Sequence, residues 1–597
     1  MGKRDKLGGA DQAWWAIWPE MLDAELAAYA RLGVSPRTVH KANGILILEA
    51  DWPVNGWSAS MLLRIGYSPL HPFVRPAVAA PNETFERHQS PLSHELCLLT
   101  QESGQWDSTQ LVADFIQEQL KQLLDALTAR KAGRFDEAAK LEEQAADPLM
   151  PYFAGACEDD SVILFDGQGT LPPAGHGLLE VVCSGRFSAA NDAAFEGVVR
   201  HLKTSSGSII GKRFGLPTEP KDAQVITGRW VKMTPPATTN PQELLKAAEA
   251  ELARQAVMQP ASVRKVNNAA RGLLSITGVV FPEEVNYGSQ KTGMGWLFLV
   301  ARSALADGMT AGPPRLVRGE RAGKEDVFSR LPVARALSNK KAVVVGAGAI
   351  GSFAGLELAR AGVGEVTFID YDTVQPGNSL RWPLGRSAWG RGKGSGLANF
   401  IAENYPWTKV NFVPARLGET LTDPTALQPD DVHVLSLMFD LLREAHVVVD
   451  ASASTEVQLA IAHYCRQVGV PYVVGYATHG VAGGLVARFL PGDEGCFVCL
   501  NEHWKDGCIP QPRVDDEGVV IPVGCNAPTF TGGGFDLQEV SLEIVRTAVG
   551  LLSDGKYDPG AWSVALLTLR NKDGSRILPR WEAHRCPPHP KCCGAGR

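Results

Sequence analysis

The stretch KAVVVGAGAIGSFAGLELARAGVGEVTFIDYD constrains this chain more than any other. An apolar run ends in Gly346, Gly348 and Gly351 at the opening of a helical pattern, and a second apolar run ends in Asp370. Strand, glycine turn, helix and strand in that order predict a βαβ unit. Glycines at these offsets permit a tight turn and let a phosphate approach backbone N–H groups at a helix N-terminus. An acid some 20 residues on can hold ribose hydroxyls. A nucleotide site follows.

A glycine loop does not separate NAD(H) oxidoreductases from ATP users, because both need a diphosphate cradle and a ribose acceptor. The next segment supplies Asp372, Asn378, Arg381 and Lys393. These cations suit a triphosphate more than a dinucleotide. Adenylation needs cations to neutralise charge on the leaving pyrophosphate and a carboxylate held in line with the α-phosphate. ATP with Mg2+ is the expected cofactor pair.

With 58 Lys and Arg against 65 Asp and Glu, net charge −7, the chain has no long-range attraction to nucleic acid or anionic lipid, so neither is expected as a partner. The sequence lacks an uninterrupted apolar run of about 18 residues and its first residues lack a secretory apolar segment, so a cytoplasmic location is expected. At 597 residues the chain is long enough for several cores. Its 11 cysteines are too sparse for a disulfide scaffold, and Cys496, Cys499, Cys586, Cys592 and Cys593 cluster as metal ligands would in a reducing compartment.

From about residue 331 the motif order is Gly-x-Gly-x-x-Gly, Asp-x-Asp, Asn, Arg, Lys, a second strand ending in Asp450, Cys-x-x-Cys, a cysteine loop and a terminal cysteine cluster. This order resembles the ThiF/MoeB and ubiquitin-activating enzyme family. The resemblance implies that Asp370 binds ribose, that Asn378, Arg381 and Lys393 surround the phosphates, and that Asp450 borders the nucleotide. It implies a homodimer through the adenylation domain, with Arg330 or Arg335 as an arginine finger. One departure is Ala453, where the family commonly has an Asp that helps hold magnesium; Asp450 or Asp372 is left to do so.

Cys496 and Cys499 have the two-residue gap of a tetrahedral zinc site. Cys586, Cys592 and Cys593 compete for the other two places, with His589 as a further alternative. Cys525, between a glycine- and proline-rich loop and a helix, is the candidate thiol to attack an acyl-adenylate and form a thioester. Cys508 competes with it, and Cys465, in a helix, reads as core filler.

Toward the N-terminus, GYSPLHPFVRPAV precedes His88, His94, Cys97-Leu98 and Trp106 before a long helix. This pattern resembles the ubiquitin-conjugating enzyme fold and implies Cys97 as a conjugating nucleophile, with His94 orienting its loop. The Asn-containing motif that supplies an oxyanion donor in the eukaryotic family is absent. The expected architecture is α/β multidomain: an N-terminal α+β ubiquitin-conjugating-like domain over 1–150, a middle α/β domain over 151–325 and a C-terminal Rossmann-like adenylation domain over 326–597. Residues 315–328 read as a charged, glycine-bearing hinge.

Both ends together resemble the fused ubiquitin-transferase-like proteins of bacterial antiphage operons, CBASS among them. The implied reaction adenylates the C-terminal carboxylate of a partner, either a cyclic-oligonucleotide synthase or a ubiquitin-like protein. It then captures the carboxylate as a thioester, passes it to Cys97 and ligates it to an amine. The alternatives are activation of a sulfur carrier without conjugation, a nucleotide-sensing module without turnover, and an NAD-dependent oxidoreductase.

Overall fold

The computed structural model describes residues 13–54, 60–99, 106–142, 147–166, 175–183, 194–212, 224–258, 274–284, 292–302, 312–417, 429–515, 519–520 and 529–592. They form two units, one reaching Gly323 and one running from Lys324 onward.

The first unit opens with the short helix Trp14–Ile17 and the helix Pro19–Arg31, whose proline occupies a position where a helix has no N–H bond to lose. An antiparallel meander follows: Arg37–Ala42, Ile45–Trp52, Met61–Tyr67 and Ala77–Ala79. Along the third strand Met61, Leu63, Ile65 and Tyr67 are buried and the residues between them are not, the period of two that a half-covered strand imposes. This face packs against Val112, Phe115, Ile116, Leu120 and Leu123 of the helix Val112–Lys131. Trp106 closes the end of that core, its indole N–H donating to the Pro72 carbonyl at 2.8 Å.

An eight-stranded sheet completes the unit, in the order Val162–Phe165, Arg315–Arg321, Thr292–Arg302, Leu274–Glu284, Gln224–Lys232, His176–Cys183, Glu196–Thr204 and Ile209–Lys212. Its first strand also pairs with its seventh, so the sheet closes on itself around Phe165, Leu179, Trp230, Trp296 and Phe298. Helix Pro241–Met258 covers the outer side through Leu244, Ala248 and Leu252. The segment expected to be a hinge begins with a strand of this sheet, Arg315–Arg321. Its charges obscure the buried pair Leu316 and Val317, and Gly319 lies where a Cβ would stand 2.5 Å from the Trp296 carbonyl.

The second unit is built on another eight-stranded sheet: Lys409–Val413, Glu365–Ile369, Lys341–Val345, Val447–Asp450, Tyr472–Ala477, Gly483–Phe489, Val564–Arg570 and Arg576–His584. The first five strands are parallel and the remaining pairings antiparallel. The parallel strands are nearly continuous apolar runs because cores lie on both faces. Lys341–Val345 lies between Glu365–Ile369 and Val447–Asp450, so the chain leaves in opposite directions from adjacent carboxyl ends, the place where doubly wound sheets open a ligand crevice. No helix among the described residues is long and apolar enough to cross a membrane.

Candidate functional site

The glycine loop sits at that crevice, and its three glycines do different work. Gly346 has φ +84°, and a Cβ there would stand 2.8 Å from the Ala451 carbonyl oxygen. At Gly351 a Cβ would stand 1.9 Å from the Gly346 carbonyl oxygen, so the helix Gly351–Arg360 can start this close to the strand only without a side chain. Around Gly348 nothing lies within 4 Å of the Cβ position. The first two glycines are required by the fold, and the third leaves space in front of a helix N-terminus, the cradle a phosphate needs.

Three side chains hold the loop. The Ala347 N–H donates to Asp370 at 2.6 Å, the Trp382 indole N–H donates to the Ala347 carbonyl at 2.8 Å, and the Ser541 hydroxyl donates to the Ile350 carbonyl at 3.1 Å. Asp370 also accepts the Asp372 N–H at 2.7 Å, so the expected ribose acid is fixed at the end of its strand. Trp382 and Ser541 were not legible in the sequence as site residues, since neither carries a motif.

The expected phosphate-binding set follows the strand end at Asp370, to which Asp372 is tied. Lys393 opens the helix Lys393–Asn404, its amide donating to the Asp372 carbonyl at 2.8 Å and its ammonium pairing with the Asp372 carboxylate. Asn378 lies in the turn Pro376–Leu380, where its side-chain oxygen accepts the Gln375 N–H at 2.9 Å. Arg381 follows that turn, and burial pushes its guanidinium down from the ordinary value. Its backbone meets the helix Gly534–Leu552, where a Cβ on Gly534 would stand 3.2 Å from the Arg381 Cα.

Asp450 is fully buried. It accepts hydrogen bonds from the Ser452 amide at 3.0 Å, the Ser452 hydroxyl at 2.7 Å and the Tyr472 hydroxyl at 3.1 Å. Burial pushes its carboxyl up to about 6. Here Asp450 shapes the 451–452 turn that packs on Gly346. Ala453 has φ +56°, and of the two acids considered for magnesium Asp372 is the one reaching solvent. Arg330 is exposed and Arg335 donates to Glu325 at 2.8 Å on the surface.

Cys496, Cys499 and Cys592 place their sulfurs within 4.8 Å of one another, with Cys496 3.7 Å from Cys499 and 3.5 Å from Cys592. Tetrahedral zinc with Zn–S bonds of about 2.3 Å sets sulfurs about 3.8 Å apart, whereas a disulfide brings them to about 2 Å. The spacing therefore fits three corners of a thiolate cage. Cys586 turns its sulfur toward the Cys496 carbonyl at 3.8 Å, and His589 bonds Asp506 at 2.9 Å. Cys593 and Cys525 lie outside the described residues. Cys508 is exposed, while Cys465 is buried, with its thiol pushed up to about 12.

In the first unit Cys97 is half-buried on a loop tied by isolated bridges between Gln89 and Leu96 and between Ala79 and Glu95. Its amide donates to the His88 carbonyl at 2.8 Å, and its thiol faces the Leu99 carbonyl at 3.7 Å, which also accepts Arg75 at 2.6 Å. His94 lies against the Glu83 carbonyl, Nδ1 to oxygen 3.1 Å, and so braces the loop. Gln89, unmarked in the sequence, reaches the Phe85 amide at 2.7 Å and the Glu83 carbonyl at 3.1 Å.

The ThiF family matches residues 323–532, spanning the glycine loop, the cations and the Cys-x-x-Cys pair. Protein y4oA of Sinorhizobium fredii is 46% identical over 99% of both chains, and y4qC of the same organism is 30% identical over 92% of both. The sulfur carrier protein ThiS adenylyltransferase of Bacillus subtilis is 26% identical over 32% of this chain and 52% of its own length. The solved structure of Escherichia coli MccB with ATP overlaps 44% of this chain and 67% of its own at 14% identity, with a TM-score of 0.31, too slight a likeness to carry an argument. The chain belongs to one family with y4oA and y4qC and contains a ThiF/MoeB-type adenylyltransferase domain.

Proposed function

We propose that this enzyme adenylates the C-terminal carboxylate of a protein partner with ATP, holds it as a thioester and passes it to Cys97, from which an acceptor amine takes it. The observation that carries the reading is the open space at Gly348, on a loop that Asp370 holds through the Ala347 amide, in a chain that also presents a half-buried cysteine on a braced loop.

Each residue then has a task. Backbone N–H groups at the start of the helix Gly351–Arg360 face the phosphates, and Asp370 is placed for the ribose. Lys393 and Arg381 supply positive charge where the pyrophosphate leaves, and Asp372 is the carboxylate available to a magnesium ion. Attack of the partner's carboxylate oxygen on the α-phosphate expels pyrophosphate. Cys525 is the proposed thiol that displaces AMP, and fusion of both thiols in one chain raises the effective concentration for the second transfer. A zinc ion on Cys496, Cys499 and Cys592 would brace the end of the helix Phe497–Lys505, with Cys593 a proposed fourth ligand. The partner class is a cyclic-oligonucleotide synthase or a ubiquitin-like protein in an antiphage operon of the CBASS kind, acting in the cytoplasm, and the enzyme is a homodimer.

A second reading is activation of a sulfur carrier without conjugation, favoured by the name of the Bacillus subtilis relative. ATP–pyrophosphate exchange dependent on a candidate partner tests both, and Cys97→Ala separates them. Product formation that survives this change selects carrier activation, and its loss with exchange retained selects conjugation.

A further inference from the structure

Cys97 sits at the apex of a tight turn in which the Leu98 N–H donates back to the Leu96 carbonyl at 3.1 Å. The strand Ala77–Ala79 runs antiparallel beside the segment that leads into this turn: Ala79 bridges to Glu95, and the Leu96 N–H donates to the Val78 carbonyl at 2.7 Å. Because the two segments run in opposite directions, the residues just before the strand lie beside those just after Cys97. Arg75 accordingly reaches Leu99, its guanidinium donating to the Leu99 carbonyl at 2.6 Å. The Cys97 thiol turns to the same oxygen, sulfur to oxygen 3.7 Å. Two groups held to one oxygen at these distances stand at most about 6 Å apart, within the range over which a positive charge favours an ionised neighbour.

The proline-rich segment holds Arg75 in place. The Pro72 carbonyl accepts the Trp106 indole N–H, the Phe73 N–H closes a turn on the Leu70 carbonyl at 2.8 Å, and Pro76 is buried. Arg75 is half-buried and Leu99 is buried, so guanidinium, carbonyl and thiol meet where salt and water screen them less than on an open surface. The histidines of the loop are engaged elsewhere: His94 lies against the Glu83 carbonyl, and the His88 ring faces Glu142 at 3.6 Å. An S–H bond to a carbonyl favours the neutral thiol, because the oxygen repels the charge that ionisation leaves on sulfur. A guanidinium on the same oxygen opposes that bias, drawing the oxygen's charge toward itself and setting a positive charge beside the sulfur.

We propose that Arg75 is the charge partner of the Cys97 thiolate, held to it through the Leu99 carbonyl that both groups share. This rests on the reading that Cys97 carries a thioester. In loading, the Cys97 S–H proton leaves to solvent, the thiolate attacks the incoming thioester carbon, the new S–C bond forms and the donor's C–S bond breaks to release its thiolate. In discharge, the N–C bond to the acceptor amine forms, the Cys97 C–S bond breaks, and the amine proton leaves to solvent. Cys97 sulfur is the nucleophile in the first step and the leaving group in the second. Negative charge collects on it in both, and the Arg75 guanidinium faces that charge each time.

The test uses the full chain and needs no natural partner. Wild type, Arg75→Gln and Arg75→Lys are alkylated at neutral pH with iodoacetamide, which is uncharged, and with iodoacetate, which is an anion, and the rate is read on the Cys97 peptide by mass spectrometry. Loading of Cys97 by exchange with a diglycyl thioester of 2-mercaptoethanesulfonate is followed by intact mass, with Cys97→Ala as the blank. Arg75→Gln should slow iodoacetamide and loading about 10-fold and iodoacetate about 30-fold, whereas Arg75→Lys, which keeps the charge, should stay within about 3-fold of wild type throughout. Wild-type rates in Arg75→Gln would overturn the pairing and leave the transfer reading standing. Equal losses in Arg75→Gln and Arg75→Lys would also overturn it, as loss of loop shape and not of charge. A wild-type thiol that alkylates in this charge-dependent way and never takes the diglycyl group would instead bring down the transfer reading.

Discussion

Single atoms separate structural from binding roles in the glycine loop. Gly351→Ala forces a methyl to within 1.9 Å of a carbonyl oxygen and should cost about 3 kcal/mol or more of stability. Gly348→Val enters open space, so it should leave the thermal midpoint unchanged and abolish ATP binding by calorimetry; a variant that still binds ATP would remove Gly348 from the phosphate cradle. Asp450 offers a test by pH. Its folded carboxyl, raised to about 6, holds a proton that the unfolded chain releases near its ordinary value, so folding binds protons and stability falls as pH rises from about 4 to 6. The difference in unfolding free energy between wild type and Asp450→Asn should move against wild type by at most about 3 kcal/mol over that window, read by hydrogen exchange of the Val447–Asp450 amides. The glycines and Asp370 were legible because their chemistry fixes their spacing. The burial of Asp450 was not, because a carboxylate ending a strand looks the same in sequence whether it faces a ligand or, as here, Ser452 and Tyr472.

Among elements, apolar period and chain order gave the βαβ unit of the parallel sheet in outline. Arg315–Arg321 escaped because its buried residues are two among charges. The Asp147–Glu284 and Trp382–Ala347 hydrogen bonds were illegible for a different reason: they join elements that no local pattern links. Trp382→Phe removes one such bond and should loosen the glycine loop by about 1 kcal/mol, seen as faster hydrogen exchange at residues 346–351. The cysteine knuckle is the other element-scale test. Metal analysis should find one zinc per chain, and Cys592→Ser should lose it and lower the thermal midpoint of the second unit; full metal content in that variant would place the zinc elsewhere.

For the molecule as a whole, the two units divide the candidate sites: one has the glycine loop at the carboxyl end of its parallel strands, and the other has Cys97 and the closed sheet. Asp147 lies at the domain boundary expected near 150, which hid its hydrogen bond to His88 of the Cys97 loop. The most direct measurement is non-reducing intact mass spectrometry of the full chain with ATP, Mg2+ and candidate partner proteins encoded beside it, comparing wild type with Cys97→Ala and Cys525→Ala. The account predicts a DTT-sensitive adduct on Cys97 that needs ATP and disappears in Cys525→Ala. A partner that becomes adenylated while neither cysteine ever carries it would contradict the conjugation account and leave only the activating site.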